Sequence, residues 1–355
     1  MERIPSSPPQ IAPLPEETTR PLWSVMIPVY NCSRFIPDAV LSVLNQDPGE
    51  DQMQIEVVDD GSTDGDVEAL VMSLGKGRVK YYRQPQNVGS LRNFETCINR
   101  ANGHLVHLLH GDDRVKDGFY KKFTSLFEDY PDAGAAFCGY STIDEQGSKI
   151  KDYNLIQSNK GLITDVYPKM ASGLPVQYAT MVVKRVVYER LGGFYGVIAG
   201  EDWEMWTRIA EKYPIGYIPE FLGEYRRFLG TISWPFIEKG TYAKSLAKTA
   251  LLIESQLQDD LKWVMKKTKK KRAISCVNIA SFIWKDSRNL KIVYELVIVA
   301  LKLTPTSSDV YGKIIKLKWR ILKDSFFNSN SDSLQKKAPQ IHVNLGSENN
   351  ISRIN

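Results

Sequence analysis

The chain is constrained most by three strand-length apolar runs that break off into polar residues: SVMIPVYN at 24–31, IEVVDDGSTD at 55–64 and HLVHLLHGDD at 104–113. Continuous apolar runs of this length predict strands buried on both faces, the signature of a parallel sheet. In such a sheet ligands bind outside the carboxyl ends of the strands. The pairs Asp59-Asp60 and Asp112-Asp113 are thereby expected at one edge. Clustered carboxylates repel and raise one another's pKa unless a cation lies between them. A divalent metal holding a phosphorylated ligand is the expected resolution.

Helical spacing fills the intervals. Phe35, Ile36, Ala39, Val40, Val43 and Leu44 predict a helix with Ser33 as its cap and Pro37 in its first turn. Val67, Leu70, Val71 and Leu74 predict a second, followed by a strand over 79–82. Leu91, Phe94, Ile98 and Ala101 predict a third, closed by Gly103. Phe119, Phe123, Leu126 and Phe127 share one side of a fourth, and DEQG at 144–147 predicts a hairpin turn. Further on, a strand over 181–183 and a helix over 186–191 lead into GEDWEMWTRIAEKY, with Trp203, Trp206, Ile209 and Ala210 facing inward. The alternation predicts an α/β fold, a mostly parallel central sheet flanked by helices.

The apolar content of 43% over 355 residues allows one large core plus an appendage, and a net charge of +5 does not by itself argue for nucleic acid. Cys32, Cys97, Cys138 and Cys276 lie too far apart for a zinc site or a disulfide framework, which favours a reducing cytosol. Residues 1–21 hold proline and both charge signs where a secretory signal needs an apolar core; they read as a disordered arm. No apolar stretch reaches membrane-spanning length. A single domain is expected over 22–238, a Lys-rich helical extension over 239–325, and a disordered tail over 326–355.

Each acidic cluster has a structural reading beside a functional one. Asp59-Asp60 can cap a turn or accept hydrogen bonds from a nucleobase or ribose, with Asp64 a cap for the following helix. Asp112-Asp113 suits Mg²⁺ or Mn²⁺, which take one or two carboxylates and complete their shell with phosphate oxygens and water. His104 and His110 share a strand face and His107 points away, so three convergent histidine ligands are not expected. Glu201-Asp202 can stabilise a helix start through its dipole, or serve as a general base beside the open Ala199-Gly200 turn. Arg92, Arg226 and Arg227 can fork onto phosphate oxygens or remain surface charges.

SVMIPVYN, IEVVDDGSTD, NVGSLRNFETCINRANG, HLLHGDD, LGGF, GEDWEMWTRI and EYRR occur in the order and approximate spacing of family 2 glycosyltransferases, and the chain resembles that family over about residues 22–235. The resemblance implies a GT-A fold, a nucleotide-diphosphate sugar donor, a divalent metal (Mn²⁺ or Mg²⁺) and transfer with inversion. It places Pro28, Tyr30 and Asp60 at the nucleoside and Arg92 in the donor site. Metal ligation falls mainly on Asp113, with Asp112 nearer ribose and diphosphate and His110 where the family often has an aspartate. Asp202 matches the family's base, and Glu201 and Arg226 are expected at acceptor or diphosphate. Phe228 departs from the family's Y-R-x-H pattern. The implied partners are a nucleotide-sugar donor and a glycan or lipid-linked acceptor, in polysaccharide or glycoconjugate synthesis.

Three rival readings fit the sequence less well. A phosphoacceptor receiver would carry its acidic pair on the first strand, and a dinucleotide oxidoreductase would need G-x-G-x-x-G after it. A noncatalytic nucleotide-sugar binder is disfavoured by Asp202 alone. In the extension, LKIVYELVIVALKL at 290–303 is expected as a core helix packed on the catalytic domain; attachment to the inner face of an anionic membrane is the alternative, for an otherwise cytoplasmic protein.

Overall fold

A computed structural model describes residues 2–15, 19–227 and 239–327. The apolar runs become strands. In chain order the sheet-containing region holds β1 (Trp23–Val29), α1 (Ile36–Leu44), β2 (Met53–Asp59), α2 (Val67–Gly75), β3 (Lys80–Arg83), α3 (Ser90–Arg100) and β4 (Leu105–Leu108). It continues with β5 (Arg114–Val115), α4 (Phe119–Asp129), β6 (Ala135–Ile143), β7 (Lys149–Asp152), β8 (Gly161–Leu162), α5 (Val166–Ala171), β9 (Met181–Lys184), α6 (Arg185–Leu191), α7 (Glu201–Lys212) and β10 (Ile215–Arg226).

The sheet order is β3-β2-β1-β4-β9-β6-β10-β5, with β7 beside β6 and β8 beside β10. Parallel pairing joins β1 to β2 and β4, β2 to β3, and β6 to β10. Strand β9 runs antiparallel between β4 and β6, so the sheet is mixed. Alternate side chains of β1 serve opposite layers: Val25 and Ile27 pack with α1, α2 and α4, while Met26 packs with α3, α6 and α7. Each fully buried aliphatic side chain of this kind stabilises the fold by about 1.5–3 kcal/mol.

The register positions the site. Val29 lies opposite Asp59, so β1 and β2 end together. Beyond β4 the chain continues along β1, with Leu109 N–H donating to Met26 O at 3.0 Å and Gly111 N–H to Pro28 O at 3.1 Å. Asp112 and Asp113 are thereby delivered to the edge where β1 releases Tyr30.

Several local readings are corrected. Ser33 does not cap α1; its N–H donates to Asp64 Oδ2 and its hydroxyl to Asp64 O, tying two loops. Asp66, not Asp64, caps α2 by accepting from Ala69 N–H at 3.0 Å. Helix α3 ends at Arg100 with Ala101 as its C-cap, and Gly103 is glycine because a Cβ there would lie 2.5 Å from Ser24 N.

The N-terminal arm is also ordered where it is described. Ile11 is buried, Pro9 O accepts from Gly193 N–H and Pro5 O from Gly196 N–H, each at 2.8 Å. A proline-rich strap has few N–H groups to satisfy, so it lies along a surface using its carbonyls as acceptors. The LGGF turn supplies the space: a Cβ on Gly192 would lie 2.8 Å from Pro9 O.

The extension is helical: α8 (Thr241–Gln256), α9 (Lys262–Ser287), α10 (Leu290–Leu303) and α11 (Ser308–Phe327). Helix α10 buries Val293, Leu296, Ala300 and Leu303 in a core shared with α8, α9 and α11, not directly on the large sheet as expected. Helices α8 and α9 make the junction instead, through Ala250, Ile253 and Met265 against Ala171 and Trp203. No helix among the described residues is long and apolar enough to cross a membrane. Phe228 and residues 328–355 of the expected tail lie outside the described residues, and α11 extends two residues past the expected boundary at 325.

Candidate active site

Two adjoining cavities occupy the carboxyl edge of the sheet. The larger, about 400 Å³, is lined by Pro28, Tyr30, Asp60, Phe94 and Asp112, and by Arg3 and Ile4 of the arm. Its size suits a small-molecule ligand. The smaller, about 220 Å³, is lined by Asp112, Asp113, Tyr178, Glu201, Asp202 and Tyr242. Ser90, Phe94, His110, Asp112 and Ile198 border both.

The first acidic pair divides its labour. Asp59 is fully buried and accepts from Ser62 N–H and Tyr81 O–H at 2.8 Å and from Arg83 at 2.5 Å, which makes it a bracket for the loop. Asp60 reaches the larger cavity, but its oxygens already accept from Val88 N–H at 2.7 Å, Gly89 N–H at 2.9 Å and Asn87 Nδ2 at 2.9 Å. Burial raises its pKa, opposed by the Val88 and Gly89 N–H groups. It latches the 87–89 loop as a cleft wall, and Arg3 extends that wall by donating to Asn87 O at 3.1 Å.

The arginines expected on phosphate are otherwise engaged. Arg92 pairs with Glu95 at 2.6 Å and donates to Glu2 O at 2.8 Å, and it borders neither cavity. Arg226, 1% exposed, donates to Asp112 O at 2.9 Å, to Asp144 O and Glu145 O at 3.0 Å, and to Asp38 Oδ2 at 2.5 Å. Its guanidinium is consumed in holding the 112–113 and 144–145 turns. Burying a charge is tolerated only with such complete pairing.

His110, Asp112 and Asp113 present ligand atoms that all lie within 4.8 Å of one another. Gly111 lets the turn close, since a Cβ there would lie 2.5 Å from Val29 Cγ1. Asp113 Oδ1 accepts from Arg226 N–H at 2.9 Å. Burial raises the pKa of Asp113, and the Asp112 charge adds to it; Asp112 is raised by burial as well. Burial lowers His110 to about 4, so its imidazole is neutral. The ring is stacked between Phe94 and Tyr178, centroids at 5.2 and 4.4 Å, and its Nε2 is buried with no hydrogen-bond partner. A neutral imidazole with an orphaned nitrogen beside two carboxyls whose charge is disfavoured by burial is a donor set that fits a divalent cation.

Across the smaller cavity, α7 begins with Glu201 and Asp202 in its first turn, after Gly200 at φ +87°. Helix α8 clamps the preceding residue: Ser245 Oγ donates to Ala199 O at 2.8 Å and accepts from Ala199 N–H at 3.1 Å. Burial, reinforced by the Asp202 charge, raises Glu201 to about 8. Burial raises Asp202 to about 6, opposed by Trp203 N–H and the Arg272 charge. Tyr178 O–H lies 3.3 Å from Glu201 Oε1. Near neutrality the pair therefore holds one proton between its two carboxyls.

Of the expected residues, Pro28, Tyr30, Asp60, Asp112, Asp113, Glu201 and Asp202 are brought together, and Arg92 and Arg226 are not placed in the cavities. Sequence reasoning missed Arg3, Tyr178 and Tyr242. No local pattern marks them, because each reaches the site only through packing of distant segments.

The sequence matches the model for glycosyl transferase family 2 over residues 24–192. An uncharacterized protein of Mycobacterium tuberculosis is 36% identical over 230 residues, 60% of this chain and 69% of its own length. An uncharacterized glycosyltransferase of Rickettsia conorii is 28% identical over 227 residues, 63% of this chain but 35% of its own length. A GalNAc(5)-diNAcBac-PP-undecaprenol beta-1,3-glucosyltransferase of Campylobacter jejuni is 25% identical over 289 residues, covering 80% and 89%. Among solved structures, S. aureus TarS 1-349 in complex with UDP-GlcNAc superposes with a TM-score of 0.59 at 14% identity, over 86% of this chain and 92% of that one. The last likeness is one of fold.

Proposed function

The chain belongs to glycosyl transferase family 2 and is a glycosyltransferase of GT-A fold, and from that premise we propose metal-dependent, inverting transfer from a nucleotide-diphosphate sugar to an acceptor hydroxyl. The observation that carries this is the continuity of the two cavities: Asp112 borders both, with a cation-binding set on one side and a half-protonated carboxylate pair on the other.

In this reading Pro28, Tyr30 and Asp60 enclose the nucleoside, and Asp112 faces ribose and diphosphate. Asp113, Asp112 and His110 would hold Mn²⁺ or Mg²⁺, which when bound supplies positive charge against a departing diphosphate. Asp202 takes the proton of the acceptor hydroxyl, whose oxygen bonds to the anomeric carbon as the bond to the diphosphate breaks on the opposite face. One base and one displacement invert the centre. Glu201, protonated and held near Tyr178, keeps a second negative charge away from the incoming hydroxyl. Residues 22–238 form the catalytic unit, and the extension from 239 completes the acceptor side through Tyr242.

Two likenesses narrow what to test. The TarS structure holds UDP-GlcNAc, which makes uridine diphosphate sugars the first donors to try. The Campylobacter jejuni relative is named for an undecaprenol-diphosphate-linked glycan, which supports a glycan on a lipid carrier as acceptor, reached from the cytoplasmic face, in surface polysaccharide or glycoconjugate synthesis. The test is a nucleotide-sugar panel measured for binding and hydrolysis with and without Mn²⁺. Retention and slow hydrolysis of one donor only with metal is expected; indifference to every donor, or to the metal, would refute the reading.

The pH profile of kcat/KM is expected to be bell-shaped. Its acid limb should rise through about pH 6 as Asp202 loses its proton, and its alkaline limb should fall through about pH 8 as Glu201 does. Glu201→Gln should remove the alkaline limb and leave the acid one. A flat profile between pH 5 and 9, roughly the range spanning both groups, would contradict the assignment.

A further inference from the structure

Helix α11 carries two apolar stripes where one is needed. Val310 and Leu317 are buried against the extension's core, with Ile314 and Ile321 beside them. On the outward side Tyr311, Ile315, Trp319 and Leu322 are 44%, 53%, 69% and 38% exposed. Their spacing of four, four and three residues keeps them on one face. A surface helix covers its core with a single stripe and is polar elsewhere; an outward stripe centred on a tryptophan marks a surface that meets something apolar.

The flanking charge indicates what. Lys316, Lys318 and Lys323 are exposed, and no ion pair engages them among the described residues. Trp319, Leu322 and Lys323 share a depression with Lys285 of the last turn of α9 and Arg288 just after it. Asp324, the acidic residue there, is occupied by Arg288 and by Trp284 Nε1. The bias extends through the unit: residues 239–327 hold 19 Lys and Arg against 7 Asp and Glu, a net of +12 in a chain whose total is +5. A second copy of so basic a surface would be repelled. An apolar stripe with an aromatic at its centre and lysines at its rims matches an anionic lipid surface, where the ring enters the headgroup layer and the lysines meet phosphate.

We propose that the outward face of α11 docks the protein on an anionic lipid bilayer. The depression between α11 and the α9–α10 turn gathers lipid headgroups, and Trp319, Ile315 and Tyr311 enter the interface. This deepens the lipid-linked reading of the acceptor and rests on it for its purpose, although docking is measured apart from transfer.

The test is flotation of the full chain with phosphatidylcholine vesicles, with and without phosphatidylglycerol. Binding is expected only with phosphatidylglycerol, weakening steeply as salt is raised. Trp319→Glu should lower partitioning roughly tenfold or more, and Lys318→Gln roughly fivefold. Both variants should keep the wild-type thermal melt, and Trp319→Phe should remove most of the vesicle-induced blue shift in fluorescence. Absence of binding to phosphatidylglycerol vesicles would overturn the proposal, as would binding indifferent to Trp319→Glu and Ile315→Ser. A dimer in light scattering that Trp319→Glu dissociates would overturn it in favour of self-association. For the unmutated chain, no vesicle binding with transfer to a soluble acceptor intact would refute docking alone; no transfer with vesicle binding intact would refute the enzymatic reading alone.

Discussion

Asp202→Asn is expected to slow transfer by about 10³-fold while leaving donor affinity within a factor of two or so, the range for removing a general base that acts only as the acceptor is deprotonated. The separation follows from placement: Asp202 borders the smaller cavity and not the cleft that Pro28, Tyr30 and Asp60 enclose. Asparagine preserves an oxygen for Trp203 N–H, which Asp202 Oδ1 accepts at 2.7 Å, so the start of α7 should remain intact. Stability has a definite sign as well. Asp202 and Glu201 have folded pKa values raised above those of an unfolded chain, so the unfolded state binds fewer protons and stability falls as pH rises through them. Removing one carboxylate should therefore lift the melting temperature at pH 8 and change it little only below about pH 4, where the carboxyls of the unfolded chain are protonated as well. Single-turnover transfer with donor binding measured in parallel decides the matter; transfer at the wild-type rate would exclude Asp202 as base.

Asp113→Asn should remove Mn²⁺ retention and lower transfer by at least about 100-fold, more than is typical for loss of an outer-shell partner. Asparagine is preferable to alanine because Asp113 Oδ1 also accepts from Arg226 N–H, and an unpaired buried N–H would cost about 1–3 kcal/mol and confound the result. Calorimetric titration with Mn²⁺ alone gives the direct readout. His110→Ala should weaken the same titration by a smaller factor, since its buried Nε2 has no other partner. Unchanged Mn²⁺ affinity in Asp113→Asn would move the cation elsewhere.

The residues that reading alone misplaced share a feature. Arg226 looked like a phosphate fork at a strand end, yet its guanidinium reaches Asp38, Asp112 and the 144–145 turn. Arg92 sits at a helix start facing the arm and Glu95, not the cleft. Residues 2–15 had the composition of a disordered segment, and became ordered through carbonyls that accept from Gly193 and Gly196. The helix over 290–303 was apolar enough to be core, and it is core, but of the extension and not of the sheet. In each case composition and periodicity said nothing about the segment's partner, and the partner decided its state.

The alternation of strands and helices, the edge where the acidic pairs lie and the presence of a carboxylate at the start of α7 were determined by sequence alone. They follow from local rules: side-chain period, turn chemistry and the direction of the backbone at a strand end. Only the tertiary structure decided which charged groups remain free for a ligand. Asp59 and Arg226 became brackets, while Asp202, Asp113 and the imidazole of His110 kept capacity to spare. A polar group's availability depends on whether a buried partner reaches it first, and those partners lie up to 188 residues away along the chain.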